Sequence, residues 1–173
     1  MKKRTIVFII ILVFAPVISF NYDLAKNIWQ IGVLESKNDL TYAGKLKLIL
    51  IYYHLNNFQK VISIGEKLLP DMLHKTPDEK FVLAGSLGRA YQKNRQFDKE
   101  MEVYEKLLND SPQYLHLSKA GFYEFVKNPE LQIHELEECL KWADTKLKPK
   151  VEAELERVKK EKLKPQSWQT EKP

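Results

Sequence analysis

Cysteine is nearly absent from this 173-residue sequence, in which Cys139 is the only one. A lone thiol cannot form a disulfide within the chain, so the fold has to be stabilised by packing. Cys139 lies beside Leu140 at a core-type position, and no histidine has a spacing that clearly makes it a base for the thiol. We interpret Cys139 as a buried structural thiol, with a catalytic nucleophile as the alternative.

Glycine is scarce as well, with six residues that do not cluster. A phosphate-binding loop needs closely spaced glycines, and a zinc protease needs His-Glu-x-x-His; the sequence has neither. Of the four histidines, only His134 in "HELEEC" has other ligand-type side chains at helical spacing, with Glu138 one turn later and Cys139 beside it. We interpret this segment as a solvated helix face, with a metal site or a small enzyme around His134 and Cys139 as a remote alternative. The sequence predicts no enzyme, metal site or cofactor.

A concentrated charge of one sign is also missing from most of the chain. The formal net charge is +5, but without Lys2, Lys3 and Arg4 the basic residues fall from 28 to 25 against 23 acidic ones, a net charge of +2. Basic and acidic residues are interspersed along the rest of the sequence. Binding of nucleic acid usually needs a concentrated positive field, so we do not expect a nucleic-acid partner.

The N-terminus has the pattern of an export signal. Three basic residues precede an apolar run of about 13 residues from Ile6 to Ile18, with Pro16 near its end. A membrane-spanning helix needs roughly 20 apolar residues, so we predict a signal peptide over residues 1–19, cleaved after Ser19, and a periplasmic protein. The alternative is a retained inner-membrane anchor over residues 5–20, which would be the only contact with a membrane. No cysteine follows the run, which excludes a bacterial lipid anchor at that point.

The middle of the chain contains an internal repeat. "YHLNNFQKVISIGEKLLPD" aligns with "QKNRQFDKEMEVYEKLLND" at a constant offset of 39 residues, which places Phe58 on Phe97 and, one residue before the quoted segments, Tyr52 on Tyr91. A weaker third copy lies 32 residues further on and places Tyr123 on Tyr91. Sequence repetition at such a period is typical of stacked supersecondary units.

Each copy has the pattern of two helices separated by a short turn. Thr76-Pro-Asp-Glu79 supplies an N-cap residue, a proline at the first helical position and a capping-box glutamate, so we expect a helix to begin at Pro77. "KNRQ" interrupts the apolar spacing before a second helix, and Ser111-Pro112 is expected to cap the next one.

The segment "LGRAYQKNRQF…Y…LL…SP" resembles the tetratricopeptide repeat. The resemblance covers about Tyr42 to Asp144 as three repeats, and it implies that Gly88 lets the two helices of a hairpin approach closely while Tyr104 fills the space between them. Three features depart from the family pattern. Glu100 stands where the family usually has a small residue, Ile49 replaces the close-packing glycine in the first copy, and five extra residues surround "TPDEK".

These observations predict an all-α fold, an α-solenoid of about three antiparallel helix hairpins with capping helices at both ends. We expect an N-terminal helix within residues 20–41, the repeats over 42–146, a capping helix over 147–164 and a disordered tail over 165–173. The apolar side of the N-terminal helix is expected to carry Leu24, Ile28 and Ile31, with Trp29 as a further candidate, and that of the C-terminal cap Leu147, Val151, Leu155 and Val158. The alternatives are an unrelated stack of helical hairpins, and a free basic coiled-coil segment at the C-terminus.

In tetratricopeptide proteins the first helix of each hairpin lines a concave groove in which partners dock. For this chain the resemblance implies a groove that we call the inner face: Leu46, Leu50, Tyr53, His54, Arg89, Gln92, Lys93, Leu117, Glu124 and Phe125. Its basic residues lie at the centre and its apolar residues around them, which suits a peptide that carries a carboxylate among apolar side chains.

The function that the resemblance implies is that of a non-catalytic adaptor, which binds a protein or peptide in the bacterial cell envelope. A structural subunit of a larger envelope complex is the alternative.

Overall fold

The computed structural model describes residues 26–37 and 40–162, and this part of the chain is helical without a strand. The predicted signal peptide and C-terminal tail lie outside the described residues. The α-helices are α1 (residues 26–35), α2 (Tyr42–His54), α3 (Phe58–Leu68), α4 (Pro77–Lys93), α5 (Phe97–Leu108), α6 (Pro112–Phe125), α7 (Pro129–Trp142) and α8 (Lys148–Lys162). Neighbours along the chain pack against each other, which confirms the predicted solenoid of helix hairpins.

Three hairpin turns, α2 to α3, α4 to α5 and α6 to α7, share one backbone geometry. Asn56, Arg95 and Lys127 have positive φ angles of 56°, 58° and 57°. In each turn the amide of the third residue after the helix donates to a tyrosine carbonyl at 2.9 Å: Asn57 to Tyr52, Gln96 to Tyr91 and Asn128 to Tyr123. This six-to-one hydrogen bond with a left-handed residue before it is a Schellman motif. The turns repeat at the offsets found in the sequence, so the weaker third copy is a hairpin like the other two.

The second hairpin is held close by Gly88 on α4. A Cβ atom at this position would lie 2.5 Å from Cε1 of Tyr104 and 2.7 Å from its Oη, distances too short for real contacts. Gly88 and Tyr104 are both buried, so the ring occupies the space that any larger residue at position 88 would need. The expected close approach at Gly88 is confirmed.

In the first hairpin the large and the small residue exchange helices. Ile49 on α2, which aligns with Gly88, is fully buried, and Gly65 on α3 aligns with Tyr104. A Cβ atom at Gly65 would lie 3.0 Å from Cδ1 of Leu87 on α4, so the small residue there receives a side chain from the next hairpin. The departure at Ile49 is thus accompanied by a glycine on the other helix of the same hairpin.

The first repeat is lengthened just before "TPDEK", where residues Leu69–His74 form a 3-10 helix that joins α3 to α4. Thr76 accepts from the backbone amide of Glu79 and the Glu79 carboxylate accepts from that of Thr76, which confirms the predicted capping box. The expectation for Ser111 is wrong in part. The helix does begin at Pro112, but the Ser111 hydroxyl donates to the Asp110 carboxylate instead of capping the helix.

At the N-terminal end, α1 packs on the first hairpin as α3 packs on the second. Tyr52 donates to Glu35 at 2.6 Å and Tyr91 donates to Glu66 at 2.7 Å, with Lys60 and Lys99 beside the respective carboxylates. The apolar side of α1 differs from the prediction. Ile31 and Leu34 pack against the core, whereas Ile28 is 59% exposed, and Leu24 lies outside the described residues.

At the C-terminal end, α8 covers the third hairpin. Val151, Leu155 and Val158 are buried against Leu136 and Cys139, and Leu147 packs at the edge of the same cluster. Arg157 pairs with Glu124 of α6 at 2.7 Å, and Lys159 pairs with Glu137 of α7 at 2.8 Å. The predicted capping helix is confirmed. Within the described ranges no helix has both the length and the apolar character needed to cross a membrane.

Candidate functional site

The first helices of the three hairpins lie side by side. α2 packs against α4, and the ring of Phe81 on α4 stacks on that of Tyr114 on α6, with centroids 4.5 Å apart. An open cavity of about 260 Å³ lies between α2 and α4. Its lining consists of Leu50, Tyr53, His54, Phe81, Val82, Gly85 and Ser86.

The structure brings part of the predicted inner face together at this cavity. Leu50, Tyr53 and His54 line it, and Arg89 is exposed one helical turn beyond Gly85 on α4, followed one turn later by exposed Lys93. The sequence did not single out the other lining residues. Phe81 and Ser86 both precede the quoted repeat pattern and carry no charge. Only the position of Gly85, four residues before Arg89, indicates that this part of α4 shares a face with Arg89.

The remaining predicted residues have other surroundings. Leu46 is partly buried against the main core and Leu117 against the C-terminal one. Glu124 is exposed and paired with Arg157 of the capping helix, and exposed Phe125 packs on Phe97 with centroids 6.0 Å apart. The residues that the third hairpin was predicted to contribute to the inner face are therefore engaged in contacts with other side chains of the protein.

Gln92 does not line the groove, contrary to the expectation. Its side chain is only 7% exposed, and its Nε2 donates to Oε1 of Glu100 on α5 at 3.1 Å. The position turns toward the partner helix of the hairpin because it lies between the groove side of α4 and the side that carries Gly88.

Glu100 is the most unusual side chain near the inner face because it is a carboxyl group with 0% exposure. Oε1 accepts from Gln92 and, at 2.8 Å, from the Tyr104 hydroxyl. No group among the described residues donates to Oε2, which is also buried. Burial raises the pKa of Glu100 to about 7, although the hydrogen bond from Tyr104, the charge of Arg89 and the hydrogen bond from Gln92 act in the opposite direction.

Arg89 lies on α4 between the open cavity and Gln92, which donates to the buried carboxyl group. The pKa of Arg89 is raised, chiefly by the hydroxyl of Tyr53, which lines the cavity, and the charge of Glu124 on α6 acts in the same direction. The guanidinium is also close enough to Glu100 and Tyr104 to lower the pKa of both groups. Arg89 thus faces the groove from α4 beside Lys93, and the carboxyl group of Glu100 lies buried within the same hairpin.

Cys139 and His134 are the two residues that the sequence offered as candidates for catalysis or metal binding. Cys139 is fully buried, its Sγ donates to the carbonyl of Gln113 at 3.1 Å, and burial raises the pKa of its thiol to about 11. The predicted burial of the Cys139 thiol is confirmed. His134 is exposed, and in the described part of the chain no three histidine, cysteine or carboxylate side chains come together as metal ligands would.

Glu100 is the functional candidate that sequence reasoning did not place. The sequence did contain an indication of it, because Glu100 is a carboxyl group at a position where the resemblance implies a small residue. Comparisons of this chain with protein-family models, with curated proteins and with solved structures find no match.

Proposed function

We propose that this chain is a non-catalytic adaptor of the tetratricopeptide type, which binds a protein or peptide on the inner face of its first helices. The observation that carries the proposal is the open cavity between α2 and α4 with exposed Arg89 and Lys93 beside it. Apolar walls beside a few polar groups are the usual composition of a ligand site. A peptide could place an apolar side chain in the cavity and a carboxylate against Arg89.

The place of action that we propose is the bacterial cell envelope, with the chain exported by residues 1–19 and released into the periplasm. The support for this part is the sequence alone, a basic start followed by a short apolar run. N-terminal sequencing of the protein from a bacterial host tests it. A mature chain that begins at Phe20 supports release, and a membrane-bound chain that begins at Met1 supports the inner-membrane anchor.

Site-specific photo-crosslinking in living cells tests the binding surface. A photoreactive residue at His54 or Lys93 reports on the inner face, whereas one at Glu102 or Lys106 on α5 reports on the opposite side of the same hairpins. All four side chains are exposed, so the substitutions should leave packing unchanged. We expect one discrete crosslinked partner from the inner-face positions and none from the two on α5. The reverse pattern would overturn the proposal.

One further observation favours a structural subunit as the second candidate. Trp29 is 68% and Ile28 is 59% exposed on the outer side of α1, together with Val33. An exposed apolar patch of this kind is typical of a contact surface between subunits. Insolubility of the protein without a co-expressed partner, relieved by changing Ile28 and Trp29 to serine, would favour this second function.

A further inference from the structure

A buried carboxyl group with an unpartnered oxygen lies directly behind the cation of the inner face. Glu100 is fully buried on α5, and Oε2 finds no donor among the described residues. Arg89 lies on α4 between Gly85, which lines the open cavity, and Gln92, which donates to Glu100, and the charge of Arg89 lowers the pKa of Glu100.

We propose that Glu100 and Arg89 form a proton-linked anion site, in which a carboxylate of the bound peptide pairs with Arg89 while Glu100 holds a proton. This inference rests on the proposed function, since it assigns the chemistry of the ligand and the regulation of binding at the same inner face. The ligand is a peptide with one apolar side chain for the cavity and a neighbouring aspartate or glutamate.

The physical reason is competition for one guanidinium. When Glu100 is ionised, it is an incompletely hydrogen-bonded buried carboxylate on which the charge of Arg89 acts, and a ligand carboxylate meets both a partly neutralised cation and a repelling anion. When Glu100 is protonated, Oε2 no longer carries charge and Arg89 is free to pair with the ligand. Binding of the anion therefore raises the proton affinity of Glu100, and a proton raises the affinity for the anion by the same factor.

The other groups around this site include the imidazole of His54 on α2, which lines the cavity, and the ammonium of Lys93 on α4, so the probe experiment below is repeated in His54→Gln, where the pH dependence of wild type should persist. α4 contributes the neutral amide of Gln92 besides Arg89, and α5 contributes the Tyr104 hydroxyl, whose pKa is raised by burial. α2 contributes the hydroxyl of Tyr53. The carboxylate that α6 directs toward Arg89 is that of Glu124, which is exposed and paired with Arg157. Burial raises the pKa of Glu100 to about 7, so this carboxyl group changes its charge near neutral pH.

The first experiment follows the proton directly. Carbon-13 NMR of the side-chain carboxyl groups is recorded between about pH 4 and pH 9 for the protein as processed by a bacterial host that expresses the full chain. We expect one glutamate signal with a midpoint near 7, which disappears in Glu100→Gln. Arg89→Met should raise this midpoint, whereas Lys106→Met, which removes the same charge from the outer side of the hairpin, should not.

The second experiment follows the anion with two matched probes, acetyl-Leu-Asp-Phe-amide and acetyl-Leu-Asn-Phe-amide, by chemical-shift perturbation. The aspartate probe should bind wild type about fivefold or more tightly at pH 6 than at pH 8.5, a factor within the usual range of coupling between sites. Glu100→Gln should bind it with equal affinity at both pH values, and the asparagine probe should show no pH dependence.

The two experiments separate this inference from the proposed function. A Glu100 signal that titrates below about pH 5, equal binding of the two probes, or no binding of either overturns the proton-linked site. The same holds if Glu100→Gln keeps the pH dependence of wild type. The adaptor function stands in each of these cases as long as the inner-face crosslinks form. Crosslinks confined to α5 overturn both proposals, whatever Glu100 does.

Discussion

At the scale of single residues, Glu100 sets an expected pH dependence of folding. Its pKa rises from 4.5 in the unfolded chain to about 7 in the fold, so the folded state binds the extra proton between these values. The stability that this group contributes is fully present below about pH 4.5 and is lost as the pH rises through 7, a loss of about 3 kcal/mol. Glu100→Gln keeps an acceptor for Tyr104 and removes the charge.

We therefore expect Glu100→Gln to be more stable than wild type at pH 8 and about equally stable at pH 4.5. Urea unfolding of both proteins across this range measures the difference, in which contributions from the four histidines cancel. A constant difference at every pH would contradict the account, as would a less stable variant at pH 8.

Gly88 gives a second test at the residue scale, because its space is taken by Tyr104. Gly88→Ala should destabilise the fold by about 1 to 3 kcal/mol, the usual cost of overpacking. Gly85→Ala on the same helix is the matched control. Apart from its own helix backbone, no atom of the described residues lies within 4 Å of a Cβ there, so alanine should be neutral or stabilise by up to about 1 kcal/mol through its helix propensity. Thermal unfolding that ranks the two variants in the opposite order would refute the packing.

At the scale of helices and turns, the hairpin geometry predicts which turn positions favour glycine. Arg95 and Lys127 have positive φ angles, which cost a residue with a side chain about 1 to 2 kcal/mol relative to the right-handed region. Arg95→Gly and Lys127→Gly should each raise the free energy of unfolding by about 0.5 to 1 kcal/mol. Asn94→Gly is the control, since Asn94 has a φ of −90° and gains nothing from glycine. A loss of stability in both turn variants would contradict the assigned geometry.

Much of the helical fold could be predicted because its signals are local. The capping box at Thr76 and the interruption at "KNRQ" determine helix ends within a few residues, and the repeat offset places equivalent turns. Ser111 shows the limit, since its hydroxyl bonds to Asp110 at a distance of 3.1 Å and leaves the helix end uncapped. The outer exposure of Ile28 could not be predicted either, because helical spacing alone does not say which apolar residues a neighbour covers.

The site was harder to predict than the fold for the same reason. Leu50, Tyr53 and Arg89 could be placed from their positions on first helices. Gln92 could not, because its direction depends on the close approach of α5, and its hydrogen bond goes to a residue outside the family pattern. Glu100 is buried by tertiary packing, which no local pattern around it reveals.

At the scale of the whole molecule, α8 closes the apolar end of the solenoid. A chain that ends after Leu147 loses Val151, Leu155 and Val158, each of which contributes roughly 1.5 to 3 kcal/mol by burial. We expect a much lower melting temperature and self-association in size-exclusion chromatography. A chain that ends after Lys162 keeps the helix and should behave like the full protein. Equal behaviour of the two truncated chains would show that α8 is dispensable.

The central claim is that the inner face binds the partner, and the affinity of a charge-depleted inner face tests it most directly. Arg89→Met with Lys93→Met removes both cations of the groove, and Lys67→Met with Lys106→Met removes the same charge from exposed positions on α3 and α5. Methionine avoids placing a new carboxylate beside Glu100. Titration calorimetry uses the partner identified by crosslinking, after thermal unfolding has established that both variants fold.

The account predicts that the inner-face variant binds at least about tenfold more weakly than wild type, since a charge-assisted contact is lost. The control variant should bind like wild type. Equal affinity of all three proteins, with folding intact, would contradict the claim that the inner face is the binding surface.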